Sequence, residues 1–370
     1  MQDNGLWKSV FRTLAGIRRQ SNPRMISNFA VTYRCNSRCR TCNIWKLESP
    51  ESEELTLGEI RIFLEENKDF LKGIESVQIT GGEPFLRRDL PEIASSMREY
   101  LPRSTLWIPT NGMDPEGITE AVEAILTNLG GQGLGISVSV DGLEGTHDGV
   151  RGVDGSFRRA SETLSRLAAL RVDHPRLALA VGMTVTPENH VEVGEVYSLA
   201  QQHGVEFSLR PVNISDIYYR NAGEEPLGPD SLPILVPVLR RIGRDTVERR
   251  GLWKSVPTLR YLQGLIEYVR DPRRRIQRCS AASESFFLDP YGDIYPCIFM
   301  DAPLGNVRET SLADIWGSSE AGEARRRVRG FQCPNCWVEC ESFRGIHGDP
   351  KELFISAFGA LQRPFTLGLR

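Results

Sequence analysis

The chain has 370 residues, which is enough for one large domain and a smaller one. A formal net charge of −3 gives no indication of nucleic-acid binding, and no apolar run is long enough to span a membrane. The N-terminus lacks the uninterrupted apolar core of an export signal, so we expect a cytoplasmic protein in a reducing compartment.

Eight cysteines fall into two groups, and this grouping predicts metal sites rather than disulfides. The first group is Cys35, Cys39 and Cys42, and the second is Cys279, Cys297, Cys333, Cys336 and Cys340. A structural zinc site would need a fourth ligand for the first group. An iron–sulfur cluster held by three thiolates keeps one iron free for another ligand. The spacing and the position after a strand favour the iron–sulfur cluster.

Taken in order, the chain is predicted to begin with an amphipathic helix within residues 1–24. Strands then alternate with helical patterns. The predicted strands are Phe29–Tyr33, Ser76–Thr80, Thr105–Pro109, Gly135–Val140, Leu177–Thr186 and Glu206–Arg210. The predicted helices lie near 56–70, 89–100, 115–129, 156–171 and 188–203, and Thr56 with Glu59 forms a capping box at the first. Six βα units predict an α/β fold with a partial (β/α)6 TIM-like barrel.

The residues that follow these strands cluster at one face of the predicted barrel. The three cysteines follow the first strand, Gly81-Gly82-Glu83-Pro84 follows the second, Asn111 the third and Asp141 the fourth. Each has an alternative interpretation as ordinary turn chemistry. Because the carboxyl ends of parallel barrel strands share one face, their coincidence there favours a functional site.

The second half of the chain changes in character. Two helical patterns, near 231–248 and 257–270, precede Arg273-Arg274-Arg275, which we interpret as a solvated charged face. Segments 286–288 and 294–295 flank a turn and predict a hairpin. The predicted division is an N-terminal helix at 1–24, a core at 25–235, a helical linker at 236–275, a small cysteine-containing domain at 276–345 and a tail at 346–370.

The combination of Cys35-x3-Cys39-x2-Cys42 with Gly81-Gly82-Glu83-Pro84, on successive strand ends, closely resembles the radical S-adenosylmethionine (SAM) superfamily. The resemblance covers roughly residues 25–215. It implies that the three cysteines hold a [4Fe–4S] cluster whose open iron is chelated by SAM. The reduced cluster then cleaves SAM to methionine and a 5′-deoxyadenosyl radical, which takes hydrogen from the substrate. A reductant such as flavodoxin or ferredoxin is the implied partner.

The same resemblance implies roles for further residues. It places the methionyl amine of SAM against Gly81, Gly82 and Glu83, the ribose near Ser139 or Asp141, and the SAM carboxylate on Arg151. The full set of implied SAM-binding residues is Gly81, Gly82, Glu83, Pro84, Asn111, Ser139, Asp141 and Arg151. One position departs from the family pattern, since Thr41 stands where an aromatic residue usually precedes the third cysteine. Trp45 is the alternative cover for the adenine.

The C-terminal cysteines resemble the SPASM/twitch auxiliary-cluster domains. The resemblance rests on Cys279, Gly292 and Cys297, on Leu304-Gly305-Asn306-Val307 and on Asp314-Ile315-Trp316. It implies a twitch-like domain with one auxiliary [4Fe–4S] cluster, held by Cys279, Cys297 and two of the last three cysteines. Cys333 and Cys336 are the first choice, with Cys340 spare or replacing one of them. A structural zinc is the alternative.

The function that follows is a radical SAM oxidoreductase or maturase that oxidises or crosslinks a peptide or small metabolite with help from the auxiliary cluster. A lipid or isoprenoid substrate is an alternative, motivated by amphipathic segments at both chain ends, and contact with a membrane surface is less favoured. An alternative of another class is a non-catalytic iron–sulfur or zinc scaffold. No catalytic acid or base is identifiable, because the histidines are scattered. Substrate-cavity candidates near the sixth strand are Glu206, Arg210, Asn213, Tyr218 and Tyr219.

Overall fold

A computed structural model of the protein describes residues 25–130, 133–215 and 218–348. The predicted helix at 1–24 and the amphipathic segment at 351–370 lie outside these residues. Within the described ranges, no helix is both long and apolar enough to cross a membrane.

One nine-stranded sheet forms the centre of the fold. Its strands are β1 Met25–Thr32, β2 Ile74–Gly81, β3 Thr105–Thr110, β4 Leu134–Ser139, β5 Leu177–Val185, β6 Glu206–Pro211, β7 Ser285–Leu288, β8 Asp293–Tyr295 and β9 Gly305–Asn306. They lie side by side in the order β6-β5-β4-β3-β2-β1-β7-β8-β9. The first six strands are parallel and follow sequence order, as the predicted α/β partial barrel requires.

Twelve α-helices occur in the described part of the chain. They are α1 Leu57–Glu66, α2 Lys68–Leu71, α3 Leu90–Tyr100, α4 Pro115–Asn128, α5 Glu144–Arg151, α6 Ser156–Asp173, α7 Val193–Gln202, α8 Leu232–Arg250, α9 Leu252–Arg270, α10 Leu312–Gly317, α11 Ser319–Arg329 and α12 Glu339–Gly348.

Local sequence explains where these elements begin and which faces they bury. The capping box is present at α1, because Thr56 accepts from the Glu59 backbone and Glu59 accepts from the Thr56 backbone. The strand β5 has seven buried residues in nine, which is typical of a parallel strand covered on both faces. Burial of each large apolar side chain contributes about 1.5–3 kcal/mol relative to leaving it exposed.

The C-terminal segment joins the barrel sheet rather than packing beside it. Strand β7 pairs in parallel with β1, from Ile26 opposite Ser285 to Phe29 opposite Leu288. The hairpin β7–β8 then continues the sheet in antiparallel pairing, as the sequence predicted. The division of the chain into domains stays a prediction, and helix α12 runs past the predicted boundary at residue 345.

Helix α9 supports the C-terminal cysteines through a close contact at Gly264. A Cβ at this position would overlap the indole ring of Trp337, which is buried beside Cys336. We expect Gly264→Ala to destabilise the protein by about 1–3 kcal/mol, since overpacking forces a buried ring to move. Thermal unfolding measures this, with Gly145→Ala as the control because nothing lies within 4 Å of a Cβ there. Equal stability of the two variants would contradict the described packing.

Candidate active site

A cavity of about 580 Å³ opens at the carboxyl ends of the barrel strands. This volume lies within the usual range for small-molecule sites, roughly 300–1,000 Å³. Ten of the residues predicted to bind the first cluster or SAM line it: Cys35, Cys39, Cys42, Gly81, Gly82, Glu83, Asn111, Ser139, Asp141 and Arg151. Pro84 is buried and is not among the lining residues. Trp45 and Thr41 also line the cavity.

The loop that carries the first three cysteines is held from two sides. The backbone amides of Arg38 and Arg40 donate to the carbonyls of Arg151 (2.9 Å) and Val150 (2.9 Å) at the end of α5. On the other side, the amide of Asn43 donates to the carbonyl of Tyr219 (2.7 Å). The loop conformation is therefore set by its neighbours before any ligand binds.

The three thiols of this loop have the chemistry of an iron–sulfur site. Burial, with a smaller contribution from the neighbouring cysteines, raises the pKa of Cys35 and of Cys42 to about 12. Such thiols give up their protons only when a metal centre compensates the charge. Among the described residues, no three Cys, His, Asp or Glu side chains are close enough to hold a single metal ion. The role of Cys35, Cys39 and Cys42 as ligands of a multi-iron cluster stays a prediction.

The structure explains why glycines are required at the end of β2, which the sequence alone did not reveal. A Cβ on Gly81 would overlap the carbonyl oxygen of Thr32, and one on Gly82 would overlap that of Arg34. The φ of Gly81 is 144°, a region that favours glycine. The amide of Gly82 donates to Thr32 (2.8 Å), and the Gly81 carbonyl accepts from the Tyr218 hydroxyl (2.6 Å). These glycines thus fix the approach of β1 to β2, and their contact with SAM stays a prediction.

The carboxylate of Glu83 joins the ends of β2 and β3. It is buried and accepts hydrogen bonds from Thr110 Oγ1 (2.9 Å), the Asn111 amide (2.7 Å) and the Phe85 amide (3.3 Å). Burial nevertheless raises the pKa of Glu83 from 4.5 to about 7, because desolvation outweighs these hydrogen bonds. The Glu83 side chain therefore links the ends of β2 and β3 next to the predicted SAM site.

This raised pKa has a consequence for stability. A carboxyl whose pKa is higher in the folded state favours folding when protonated, so its contribution is complete below pH 4.5 and is lost towards about pH 7. We expect Glu83→Gln to flatten the decline in metal-free stability across this interval. Urea unfolding at several pH values measures it, with exposed Glu123→Gln as the control. Parallel profiles for Glu83→Gln and the wild type would contradict the assignment.

Arg151 is held at the cavity wall by a buried ion pair with Asp141 (Nη2 to Oδ2, 2.7 Å). The other Asp141 oxygen accepts from the Thr184 amide (2.8 Å), so both oxygens have protein partners. Arg151 Nη1 lies 3.8 Å from Cys39 Sγ, and its buried Nε has no partner within the described part of the chain. A guanidinium N–H left open beside the cysteine loop fits an anionic ligand group such as a carboxylate.

His147 is a structural residue of helix α5, which also carries Arg151. It is fully buried, and its Nδ1 accepts from the Asp141 amide at 3.0 Å. Burial and the nearby Arg151 lower the pKa of His147 to about 4, so the imidazole is neutral.

Further lining residues of the cavity come from β6, from residues 218–219 and from the C-terminal segment. Four predicted candidates line the cavity, namely Glu206, Arg210, Tyr218 and Tyr219. Asn213 is not among the lining residues; it is buried and accepts from the Trp337 amide (3.0 Å). Glu339 also lines the cavity and was not among the residues predicted from the sequence. It forms an ion pair with Arg210 (3.5 Å) and accepts a hydrogen bond from Ser208. No local signal identifies Glu339, because it meets β6 only in the fold.

Four of the five C-terminal cysteines lie near a buried carboxylate, Glu341. It interacts electrostatically with Cys279, Cys297, Cys336 and Cys340, and burial raises the pKa of each of these thiols. Cys333 accepts a hydrogen bond from Arg275 Nη2 at 3.0 Å. Cys340 alone of the five lines the barrel cavity. The last cysteine therefore occupies a different position from the other four.

The fold and the site together define a class of protein. An α/β partial barrel opens on one cavity, which is lined by the cysteines of the first loop and by Cys340 from the second cysteine group. Soft thiolate donors in two such groups suit iron–sulfur clusters. The class is an iron–sulfur protein built on a barrel scaffold.

Comparison with known proteins identifies the family. The Radical SAM superfamily matches residues 29–200, and SPASM, an iron-sulfur cluster-binding domain, matches residues 279–340. The AdoMet-dependent heme synthase of Methanosarcina barkeri is 29% identical over 321 residues, covering 80% of this chain and 83% of the relative. The sporulation killing factor maturation protein SkfB of Bacillus subtilis is 23% identical over 304 residues, covering 82% and 67%.

A solved structure, anSMEcpe with bound AdoMet and a peptide, has the same fold with a TM-score of 0.59 at 15% identity, covering 91% of this chain and 98% of that chain. The chain belongs to the radical SAM superfamily and carries a SPASM domain. It is an enzyme, and its cofactors are a [4Fe–4S] cluster, SAM and auxiliary iron–sulfur centres. The scaffold alternative is therefore wrong. The lipid alternative stays a prediction, since the segments that motivate it lie outside the described residues.

Proposed function

We propose that the enzyme removes hydrogen from a peptide or small metabolite and completes an oxidation or a crosslink with help from its auxiliary cluster. The observation that carries this is the shared cavity, which Cys39 and Arg151 line from the barrel and Cys340 lines from the SPASM segment. A substrate in this cavity would lie against the first cysteine loop and against Cys340, the one member of the second cysteine group that lines it. An initiating radical and a nearby second redox centre suit a two-electron change.

The residues of the barrel have separate tasks in this proposal. Cys35, Cys39 and Cys42 hold the first cluster, and Arg151 orients SAM through its carboxylate while Asp141 holds the guanidinium in place. The bound cluster and SAM supply the 5′-deoxyadenosyl radical. The remaining SAM contacts proposed are Gly81, Gly82, Glu83, Pro84, Asn111 and Ser139. A flavodoxin or ferredoxin supplies the electron.

The auxiliary cluster is proposed to lie on Cys279, Cys297, Cys333 and Cys336. These four thiols stay outside the barrel cavity, whereas Cys340 faces it beside Arg210 and Glu339. Cys340 is therefore the spare cysteine in this assignment. Its position at the cavity wall puts it within reach of the substrate.

The peptide class is supported by relatives that mature peptides. SkfB is a maturation protein for sporulation killing factor, and anSMEcpe has been solved with a peptide beside AdoMet. The second candidate is a heme-related metabolite, since another relative is a heme synthase. Three arginines that line the cavity, Arg210, Arg249 and Arg250, would suit the carboxylates of such a molecule.

Anaerobic reconstitution with iron and sulfide, followed by dithionite and SAM, tests the proposal. We expect about eight irons per chain for two cubanes and release of 5′-deoxyadenosine. If a short peptide is encoded beside the gene, it is the first substrate to assay, and it should lose two hydrogens for each 5′-deoxyadenosine formed. A heme-related porphyrin assayed in parallel tests the second candidate. SAM cleavage with unchanged mass of both molecules would overturn the substrate proposal, and binding of zinc alone would overturn the cluster assignment.

A further inference from the structure

We propose that Arg275 sets the reduction potential of the auxiliary cluster by donating an N–H···S hydrogen bond to Cys333. The inference rests on the proposed assignment of Cys333 as a cluster ligand. It gives a function to part of the arginine run that the sequence analysis interpreted as a solvated face. That interpretation holds for Arg273, whose side chain is 94% exposed, but is wrong for Arg275.

The geometry separates Arg275 from its neighbours in the run. Its Nη2 lies 3.0 Å from Cys333 Sγ, and the side chain is only partly exposed. The guanidinium also lies near enough to Cys279 and Cys336 to interact electrostatically with both thiols. One positive charge thus faces three of the four proposed ligands, and within the described ranges no carboxylate forms an ion pair with it.

The turn before Cys333 places an aromatic ring over this guanidinium. The Phe331 ring centroid lies 4.9 Å from Arg275 Cζ, although the ring itself is exposed to solvent. Phe331 adopts a φ of 59°, in the left-handed region that is unfavourable for a bulky residue. Two backbone hydrogen bonds close the turn, from Phe331 to Val328 (3.3 Å) and from Gln332 to Arg327 (2.8 Å). The strained turn holds Cys333 and covers Arg275 at the same time.

The effect on the cluster follows from charge. Reduction adds one electron and makes the cluster more negative, so a fixed positive charge and an N–H donor at a ligand sulfur stabilise the reduced form. Arg275 stays protonated throughout, because a guanidinium does not titrate in this range. No bond is made or broken in the protein; the only change is one electron, which dithionite supplies in the test. Arg275 therefore makes the cluster a better electron acceptor.

The test isolates the auxiliary cluster in a chain with Cys35, Cys39 and Cys42 all replaced by alanine. Its midpoint potential is measured by EPR-monitored titration with dithionite in the parent, Arg275→Gln, Arg275→Lys and Arg273→Gln variants. We expect a lower potential for Arg275→Gln, a smaller decrease for Arg275→Lys, and no change for Arg273→Gln, which loses the same charge two residues away. Equal potentials for Arg275→Gln and Arg273→Gln would overturn the inference.

Two further outcomes keep the inference separate from the assignment beneath it. Cys333→Ala in the same background should change the EPR spectrum and lower the iron content. An unchanged spectrum would show that Cys333 is not a ligand, which overturns this inference while leaving the auxiliary cluster in place. Absence of any reducible cluster in the parent would overturn the auxiliary assignment and the inference together. Should Arg275→Gln fail to assemble a cluster, the potential of Arg275→Lys decides.

Discussion

Cys39→Ala is expected to reduce SAM cleavage to the rate seen without enzyme and to remove about four of the roughly eight irons of the reconstituted protein. The physical reason is ligand count, because two remaining thiolates do not hold a cubane that already has one iron open. Cys39 also lies beside Arg151, so its loss separates the cluster from the residue proposed to orient SAM. Iron analysis and chromatography of 5′-deoxyadenosine measure both effects.

Cys340→Ala is the matched control for this experiment. It removes a thiol that lines the same cavity but belongs to the C-terminal cysteine group. We expect it to keep the full iron content and the substrate-free cleavage of SAM, since the proposed assignment makes Cys340 a non-ligand. Loss of iron in Cys340→Ala, or retention of SAM cleavage in Cys39→Ala, would contradict the assignments made for these two cysteines.

Arg151→Met is expected to weaken SAM binding by about 30-fold to several thousand-fold, because truncating one partner of a desolvated charge pair costs about 2–5 kcal/mol. The same variant leaves the buried Asp141 carboxylate without its ion pair, so we expect a loss of folding stability of about 3–5 kcal/mol. Anaerobic equilibrium dialysis with SAM measures the first effect, and denaturant unfolding measures the second.

A double variant separates these two effects. Asp141→Asn combined with Arg151→Met removes both charges, so stability should recover in large part while SAM binding stays weak. Arg166→Met on α6 makes the same chemical change in an exposed pair with Glu162 and should alter stability by less than about 0.5 kcal/mol. Recovery of SAM affinity in the double variant would show that Arg151 acts on the fold rather than on the ligand.

Periodicity and motif spacing predicted most of the scaffold. The six parallel strands, the capping box at Thr56 and the hairpin after residue 285 all depend on local pattern, which is why sequence reasoning reached them. Helix α5 was missed because it is short and contains two glycines, so its apolar period is weak. The pairing of β7 with β1 was also missed, since no local pattern encodes which strand a distant segment meets.

The candidate site divides in the same way. Cysteine spacing identified the residues of the first cysteine loop. The glycines at the end of β2 identified the segment that lies next to this loop. The sequence did not reveal why those glycines are needed, because the overlap with Thr32 and Arg34 exists only when two strands meet. The sequence also did not identify three charged residues of the site, Glu339, Glu341 and Arg275. Charged residues are usually solvated, and only the packing shows which of them face a thiol.

The parallel ladder between β1 and β7 has a consequence for how the two metal sites work together. Strand β1 delivers the first cysteine loop, and the segment around β7 carries Cys279 and Cys297 on either side of its hairpin. In the proposed assignment, the two cofactor positions are therefore attached to adjacent strands of one hydrogen-bonded sheet. An electron that passes between these two positions crosses a distance that the sheet fixes. We therefore expect the rate of electron transfer between them not to depend on relative motion of two domains.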